Sequence, residues 1–345
     1  MTSTAHPYEA LTPELVLDAV ESTGLLSDAR LFTLNSYENR VYQVGIEEHQ
    51  PLIAKFYRPA RWDDAAILEE HAFCQALQEQ DLSVVAPATR AQLEQRYSAL
   101  PQPGDAGQTL FEHQGFRFSL FRRQGGQAPE LDNPDHLFQL GMTIGRIHAV
   151  GAAQPYVARP ALSVQRFGHD SRSFLLQSPL LPRHLRDRYD AISAQLLELI
   201  EQRFVQIGKV EWIRVHGDCH PGNVLWRDER PHFVDFDDSV MAPAVQDIWM
   251  LLSGDHQQQS LQLIELLEGY ETFHDFDRRQ LHLIDALRSL RLMHYSAWLA
   301  RRWADPAFPM HFPWLAREDY WQDHLNTLHL QILEMQNSRN EWLLQ

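Results

Sequence analysis

The chain has 345 residues, 46 acidic and 30 basic, giving a formal charge of −16 at pH 7, with 44% hydrophobic residues and two cysteines. That length exceeds what one hydrophobic core usually serves, so two lobes are expected; the acid excess argues against nucleic acid, which would require a basic face. Two cysteines are too few for a disulfide framework, and no basic-then-apolar leader or long apolar run stands in the sequence, so the expectation is a cytoplasmic monomer without membrane contact.

Residues 13–24 ("PELVLDAVESTG") have helical spacing and end on glycine. "RLFTLNS", "RVYQVGI" and "PLIAKFY" follow, short and rich in β-branched and aromatic residues, as in an antiparallel meander. A helix is predicted over 62–80 and a further strand at "GFRFSLFRR". Gly, Pro, Asn and Asp then cluster at 122–135 into a turn-rich connection. Beyond it, helices are predicted at 135–150, 184–206, 256–270, 278–302 and 318–342. The fold class is therefore α+β: a small antiparallel-sheet lobe with one key helix at 1–123, and a larger, mainly helical lobe at 124–345.

The helical half is interrupted by "VHGDCHPGNVLW" at 215–226. His216 and His220 have the i, i+4 spacing of a helical zinc pair, but Pro221 and Gly222 follow at once and break such a helix. The alternative is a loop in which Asp218 and Asn223 point to one place. "NVLW" and "HFV" read as strands joined by "RDERP", a hairpin that returns Asp235 to Asn223. One amide and two carboxylates suit Mg²⁺ and phosphoryl transfer, with Asp218 accepting the proton of the attacking hydroxyl and Asn223 and Asp235 holding the metal. Taken singly, Asp218 and Asn223 could equally be turn formers. On the helix at 62–80, Glu70 falls on the apolar stripe of Ile67, Cys74 and Leu77. A carboxylate there needs a cation, and Lys55, one of only two lysines with Lys209, is the expected partner. Glu69 is expected to be solvated.

"HGDCHPGN" resembles the catalytic loop of the aminoglycoside phosphotransferase branch of the protein-kinase-like superfamily, and "VDFD" resembles its metal-binding segment. More narrowly, "HGDCHPGNVLWRD", "FVDFDD", "QDIWML" and "NSYENRVYQV" are similar to the bacterial stress response kinase A family of Ser/Thr protein kinases. The resemblance implies a bilobal kinase-like fold with its catalytic loop at 216–223 and metal-binding segment at 233–238. It implies ATP as co-substrate, Mg²⁺ as cofactor, catalytic Asp218 and Asp235, metal-binding Asn223 and Asp235, and a phosphate grip of Lys55 and Glu70. Ser36 is carried over as a phosphate contact, and Asn39 as a residue closing the glycine-poor turn "NSYEN". The implied acceptor is a protein Ser or Thr hydroxyl, the kinase's own included; a small-molecule hydroxyl keeps the same chemistry. The aromatic stretch from Tyr295 to Trp321 is a place for an acceptor pocket, or simply packing between helices. Two departures stand out: Gly217 replaces the kinase arginine, and no long activation loop follows "VDFDD". A nucleotide-binding pseudokinase is disfavoured because Asp218, Asn223, Asp235 and Lys55 are all present.

Overall fold

The computed structural model describes residues 6 and 8–337, so the end of the helix expected to reach 342 lies outside the described residues. Helix α1 (Pro13–Glu21) starts where the Thr12 hydroxyl accepts from the Leu15 N–H and Pro13 supplies a fixed φ. Strands β1 (Ser27–Thr33), β2 (Arg40–Ile46) and β3 (Leu52–Phe56) form the expected meander. Helices α2 (Asp64–Glu79) and α3 (Arg90–Tyr97) follow, then β4 (Phe111–His113) and β5 (Phe116–Arg122). The five strands form one antiparallel sheet in the order β1-β2-β3-β5-β4. Along β3 the alternation is strict: Leu52, Ala54 and Phe56 are buried in the core of the sheet lobe, and Lys55, opposite Val41 and Ser119, projects from the other face.

The helical lobe runs through α4 (Pro134–Ala152), α5 (Asp170–Gln177), α6 (Arg186–Ile207), β6 (Ile213–Val215), β7 (Val224–Arg227), β8 (Arg230–Phe233), β9 (Val240–Ala242), α7 (Val245–Trp249), α8 (His256–Tyr270), α9 (Ile284–Arg301), α10 (Ala307–His311) and α11 (Glu318–Asn337). α4 and α8 pack backbone to backbone: a Cβ at Gly141 would sit 2.0 Å from the Leu266 carbonyl oxygen. The five long helices expected here are present, although the first six residues of the 278–302 segment, Arg278–Leu283, form a 3₁₀ helix. The short helices α3, α5, α7 and α10 escaped the periodicity reading because none is longer than eight residues, little more than two turns. None of the described helices is long and apolar enough to cross a membrane.

One helix belongs to both halves. α2 lies in the first part of the chain, yet Phe73, Cys74 and Leu77 are buried in the same cluster as α4, α6, α8 and α9, whereas Ala66 and Ile67 join Tyr57 and Trp62 in a smaller cluster. α2 also carries a pH-sensitive group. His71 is buried, with its ring nitrogens 2.7 Å from the Tyr57 hydroxyl and 2.8 Å from that of Thr109, and burial pushes its pKa down to about 3. A base depressed in the folded state binds its proton in the unfolded chain first, so the stability it contributes above pH 6.5 is lost as pH falls towards 3. At pH 5 the loss is about 2 kcal/mol from this group. Urea midpoints at pH 7 and pH 5 should therefore diverge less in His71→Gln than in the wild type; an unchanged pH dependence would exclude His71 as the cause.

Candidate active site

The start of the loop after β6 is held by a buried carboxylate, and Gln246 Nε2 donates to the Gly217 carbonyl at 2.9 Å beside it. Asp247, at the start of α7, accepts from the backbone N–H groups of His216 (2.6 Å) and Gly217 (2.9 Å) and from His148 Nε2 (3.0 Å). His148 in turn meets the Tyr270 hydroxyl through Nδ1 at 3.0 Å. His216 donates from Nε2 to the Val234 carbonyl (2.9 Å) and accepts the Asp218 N–H at Nδ1 (3.3 Å). It braces the loop and is not free to react. Gly217 has φ +84°, and a Cβ there would lie 2.1 Å from the Asp238 carbonyl oxygen. The replacement of the kinase arginine by glycine is thus required by a left-handed residue pressed against the next segment.

The chain then turns through the 3₁₀ segment Pro221–Asn223, with His220 Nδ1 accepting the Gly222 N–H at 3.0 Å. The two histidines therefore share no helical face, as the breakers implied. β7 and β8 pair Val224 with Phe233, and the Val234 N–H donates to the Asn223 carbonyl at 3.0 Å. This hairpin places Asn223 and Asp235 at one end, beside Asp218. Asn223 Nδ2 donates to the Asp218 carbonyl at 3.0 Å and approaches its Oδ2 at 3.5 Å. Asp235 is in the left-handed region, φ 60°, which turns its side chain out of the hairpin and leaves it 52% exposed.

The Asp218 carboxylate also receives Arg291 Nη1 from α9 at 2.6 Å on Oδ1, with His220 Nε2 3.5 Å from Oδ2. Burial raises its pKa, but the His220 contact and the Arg291 charge outweigh this and hold the carboxyl well below the usual range.

Across from the hairpin, Lys55 and Glu70 are arranged differently from the expectation. The buried Lys55 ammonium lies 2.8 Å from Asp235 Oδ1 and 3.3 Å from Asp237 Oδ1. Burial alone would depress it; the two aspartates outweigh that and raise its pKa well above the ordinary value. Glu70 is buried on α2, as its place on the stripe required. It makes no ion pair with Lys55 within 4 Å, however; Arg159 Nη2 approaches it at 3.7 Å. The expected Lys55–Glu70 pair is replaced because the aspartates of the hairpin end lie nearer to the ammonium. Burial also raises the Glu70 pKa, partly offset by Lys55 and Arg159. Glu69 is not a solvated charge: its oxygens accept from the N–H groups of Val157, Ala158 and Arg159 at 2.7–2.9 Å. That capped loop delivers the Arg159 guanidinium to the carbonyls of Ala66, Asp237 and Ser239.

The turn between β1 and β2 holds the remaining two candidates. Ser36 is half-buried there, and its hydroxyl has no hydrogen-bond partner among the described residues. Asn39 is buried and committed at both ends, Nδ2 donating to Asp237 Oδ2 (3.1 Å) and Oδ1 accepting the Arg58 N–H (3.1 Å). The whole turn is latched to the helical lobe. Glu38 receives Trp298 Nε1 and Arg302 at 2.6 Å each, Asp305 receives Arg40 (3.0 Å) and Arg58 (2.7 Å), and the Tyr37 ring packs on Phe312. Most of the aromatic stretch therefore packs: Phe308 and Trp321 are in the core, and Trp298, Trp303, Phe312, Trp314 and Tyr320 lie against it.

The sequence reading missed Arg61, Arg159, Asp237 and Arg291. Asp237 stood in the quoted "VDFDD" and is the buried hub for Arg61, Lys55 and Asn39. The arginines carried no local signal, since each meets a partner far along the chain.

A model of the phosphotransferase enzyme family matches residues 32–284. The chain is 41% identical over 321 residues to stress response kinase A of Escherichia coli strain K12, covering 93% of this chain and 92% of that one. It is 39% identical over 327 residues to the serine/threonine protein kinase RdoA of Salmonella typhimurium strain LT2, covering 95% and 94%. Among solved structures, amicoumacin kinase hAmiN in complex with AMP-PNP, Ca²⁺ and Ami matches in fold, with a TM-score of 0.69 at 19% identity over 94% of this chain and 93% of that one. With its α+β bilobal architecture and its hairpin-borne cluster of Asp218, Asn223 and Asp235, the chain is a kinase that belongs to the phosphotransferase enzyme family and, within it, to the stress response kinase A group.

Proposed function

We propose that the chain is an ATP-dependent, Mg²⁺-requiring kinase that phosphorylates Ser or Thr hydroxyls of proteins, its own included, in a bacterial stress response. The observation that carries this reading is the meeting of Asp218, Asn223 and Asp235 at one hairpin end, opposite Lys55. The names of the relatives support the protein acceptor.

The residues fit a hard divalent cation. Among the described residues no three His, Cys, Asp or Glu side chains gather as a closed metal cage, which is compatible with an ion that takes one carboxylate, one amide and the rest from phosphate and water. Asn223 and Asp235 offer those oxygens, and buried Asp237 Oδ1 beside them, which faces the Lys55 ammonium at 3.3 Å without a hydrogen bond, is a further one. Bound there, Mg²⁺ would neutralise charge on the transferred phosphate. The Lys55 ammonium, kept charged by its aspartates, meets the phosphate oxygens of ATP. Ser36 offers its hydroxyl to the same phosphates, while Asn39 fixes the turn against Asp237 and Glu70 anchors α2 beneath the lysine. Asp218 takes the proton of the acceptor hydroxyl and aligns its oxygen with the γ-phosphorus.

A second acceptor class is favoured by one feature. His220, Trp249, Met250, Arg288, Arg291, Leu292 and Tyr295 line a cavity of about 380 Å³ next to the catalytic loop, a size suited to small molecules. The test is phosphate transfer from radiolabelled ATP with Mg²⁺ or with EDTA, offered protein substrates and small hydroxyl compounds. Acid-stable label on Ser or Thr, lost with EDTA and restored by Mg²⁺, is the expected result. Label on small hydroxyl compounds alone would overturn the protein acceptor, and undiminished transfer in EDTA would overturn the metal requirement.

A further inference from the structure

The cavity beside the loop has a charge pattern unlike the rest of the molecule. In a chain of formal charge −16, the described residues lining it include the basic side chains Arg288, Arg291 and His220 and no carboxylate. The apolar remainder, Trp249, Met250, Leu292 and Tyr295, is shaped to cover the body of a ligand. The two arginines lie one turn apart on α9. Arg288 is steadied from behind by Gln259 Oε1 at 3.2 Å and by Asp285 at 3.6 Å. Among the described residues Arg291 is paired with Asp218, at 2.6 Å, and its side chain is 42% exposed.

That contact is awkward for catalysis. Arg291, a lining residue of the cavity, occupies Asp218 Oδ1 at 2.6 Å while His220, lining it too, lies 3.5 Å from Oδ2, so the carboxylate that receives the acceptor hydroxyl is covered from the cavity side by cations. A partly exposed ion pair of this kind is weak and exchangeable. An anionic group entering the cavity offers Arg291 an alternative partner and releases the base in the same movement. A neutral acceptor leaves the arginine where it is.

We infer that Arg291, assisted by Arg288, selects acceptors carrying a carboxylate or phosphate close to the reacting hydroxyl, and that Arg291 blocks Asp218 until such a group draws it away. For a protein acceptor this means a Ser or Thr flanked by Asp, Glu or a phosphorylated residue; the same chemistry on a small molecule is a hydroxy acid or a phosphorylated alcohol. The inference rests on the proposed role of Asp218 as the base that receives the acceptor hydroxyl. Arg291 acts here as a specificity-determining residue, and the transferred group and its leaving ADP are those of the kinase reaction already described.

The experiment compares matched acceptors on the full-length protein: a Ser peptide flanked by Glu against its Gln counterpart, and homoserine against 3-aminopropan-1-ol. Turnover is measured with ATP and Mg²⁺, and binding of the same pairs is measured with a non-hydrolysable nucleotide. The anionic member of the accepted pair should be preferred by roughly tenfold to a hundredfold, the size of a charge-assisted contact. In Arg291→Gln that ratio should fall to near one, and Arg291→Lys should retain part of it. A preference seen only within the small-molecule pair would support the arginine assignment while removing the protein acceptor, which separates the two claims. Equal turnover and equal binding within both pairs, or a loss in Arg291→Gln that falls equally on charged and neutral members, would overturn it.

Discussion

Asp218→Asn is expected to slow phosphate transfer by roughly 10²- to 10⁴-fold, the usual contribution of a positioned base, while shifting the melting temperature by only a few degrees. The asparagine keeps the shape of the side chain. The loop stays in place because its backbone is held through His216 and Gly217 rather than through the Asp218 carboxylate. What is lost is an acceptor for the hydroxyl proton and the anion that Arg291 and His220 surround. Nucleotide affinity should stay close to wild type, since Lys55 and Asp235 are untouched. Single-turnover transfer beside a nucleotide titration separates the two. Transfer at the wild-type rate would remove Asp218 from the chemistry.

Asp247→Ala is expected to be the most damaging change for the fold around the site, at about 3–5 kcal/mol. Its carboxylate is 1% exposed and satisfies three donors, two backbone N–H groups and His148 Nε2. Alanine leaves the His216 N–H and His148 Nε2 buried without this acceptor and the half-buried Gly217 N–H without it too, and each hydrogen bond to a charged group contributes about 1.5–3 kcal/mol before the losses overlap. Asp247→Asn keeps one acceptor oxygen but turns an N–H₂ towards a donor, so it should fall between alanine and wild type. Urea unfolding of the two variants gives the order. If both match the wild type, the loop after β6 is held by something other than Asp247.

The parts of this site that lie close in sequence could be read from it. Asp218 and Asn223 are five residues apart, and the turn "RDERP" between two apolar runs was enough to bring Asp235 back to them. Glu70 was legible because a carboxylate on the stripe of Ile67, Cys74 and Leu77 conflicts with its neighbours unless it has a partner inside. The identity of that partner was not legible. Whether Lys55 meets Glu70, Asp235 or Asp237 depends on the separation of two lobes, which no local pattern encodes, and Arg159 reaches Glu70 only because Glu69 caps the loop that carries it. Arg291 was hidden for the same reason: on α9 it looks like any arginine of a solvated helix face until the loop is folded against it. The α2 helix shows the same limit for the core, since its Phe73, Cys74 and Leu77 pack with helices that begin much later in the chain.

The latch through Glu38 and Asp305 bears on the pace of the enzyme rather than on its chemistry. In a flexible flap, the turn between β1 and β2 would move by itself, within nanoseconds to microseconds. Here Arg40, Arg58, Trp298, Arg302 and the Tyr37 ring tie that turn to α9 and the segment following it. If nucleotide enters and leaves by parting the two halves, several charge-assisted contacts must be given up together, and the opening becomes one concerted event instead of a local flicker. A kinase that opened in this way would hold each nucleotide long and let it go in few, concerted openings.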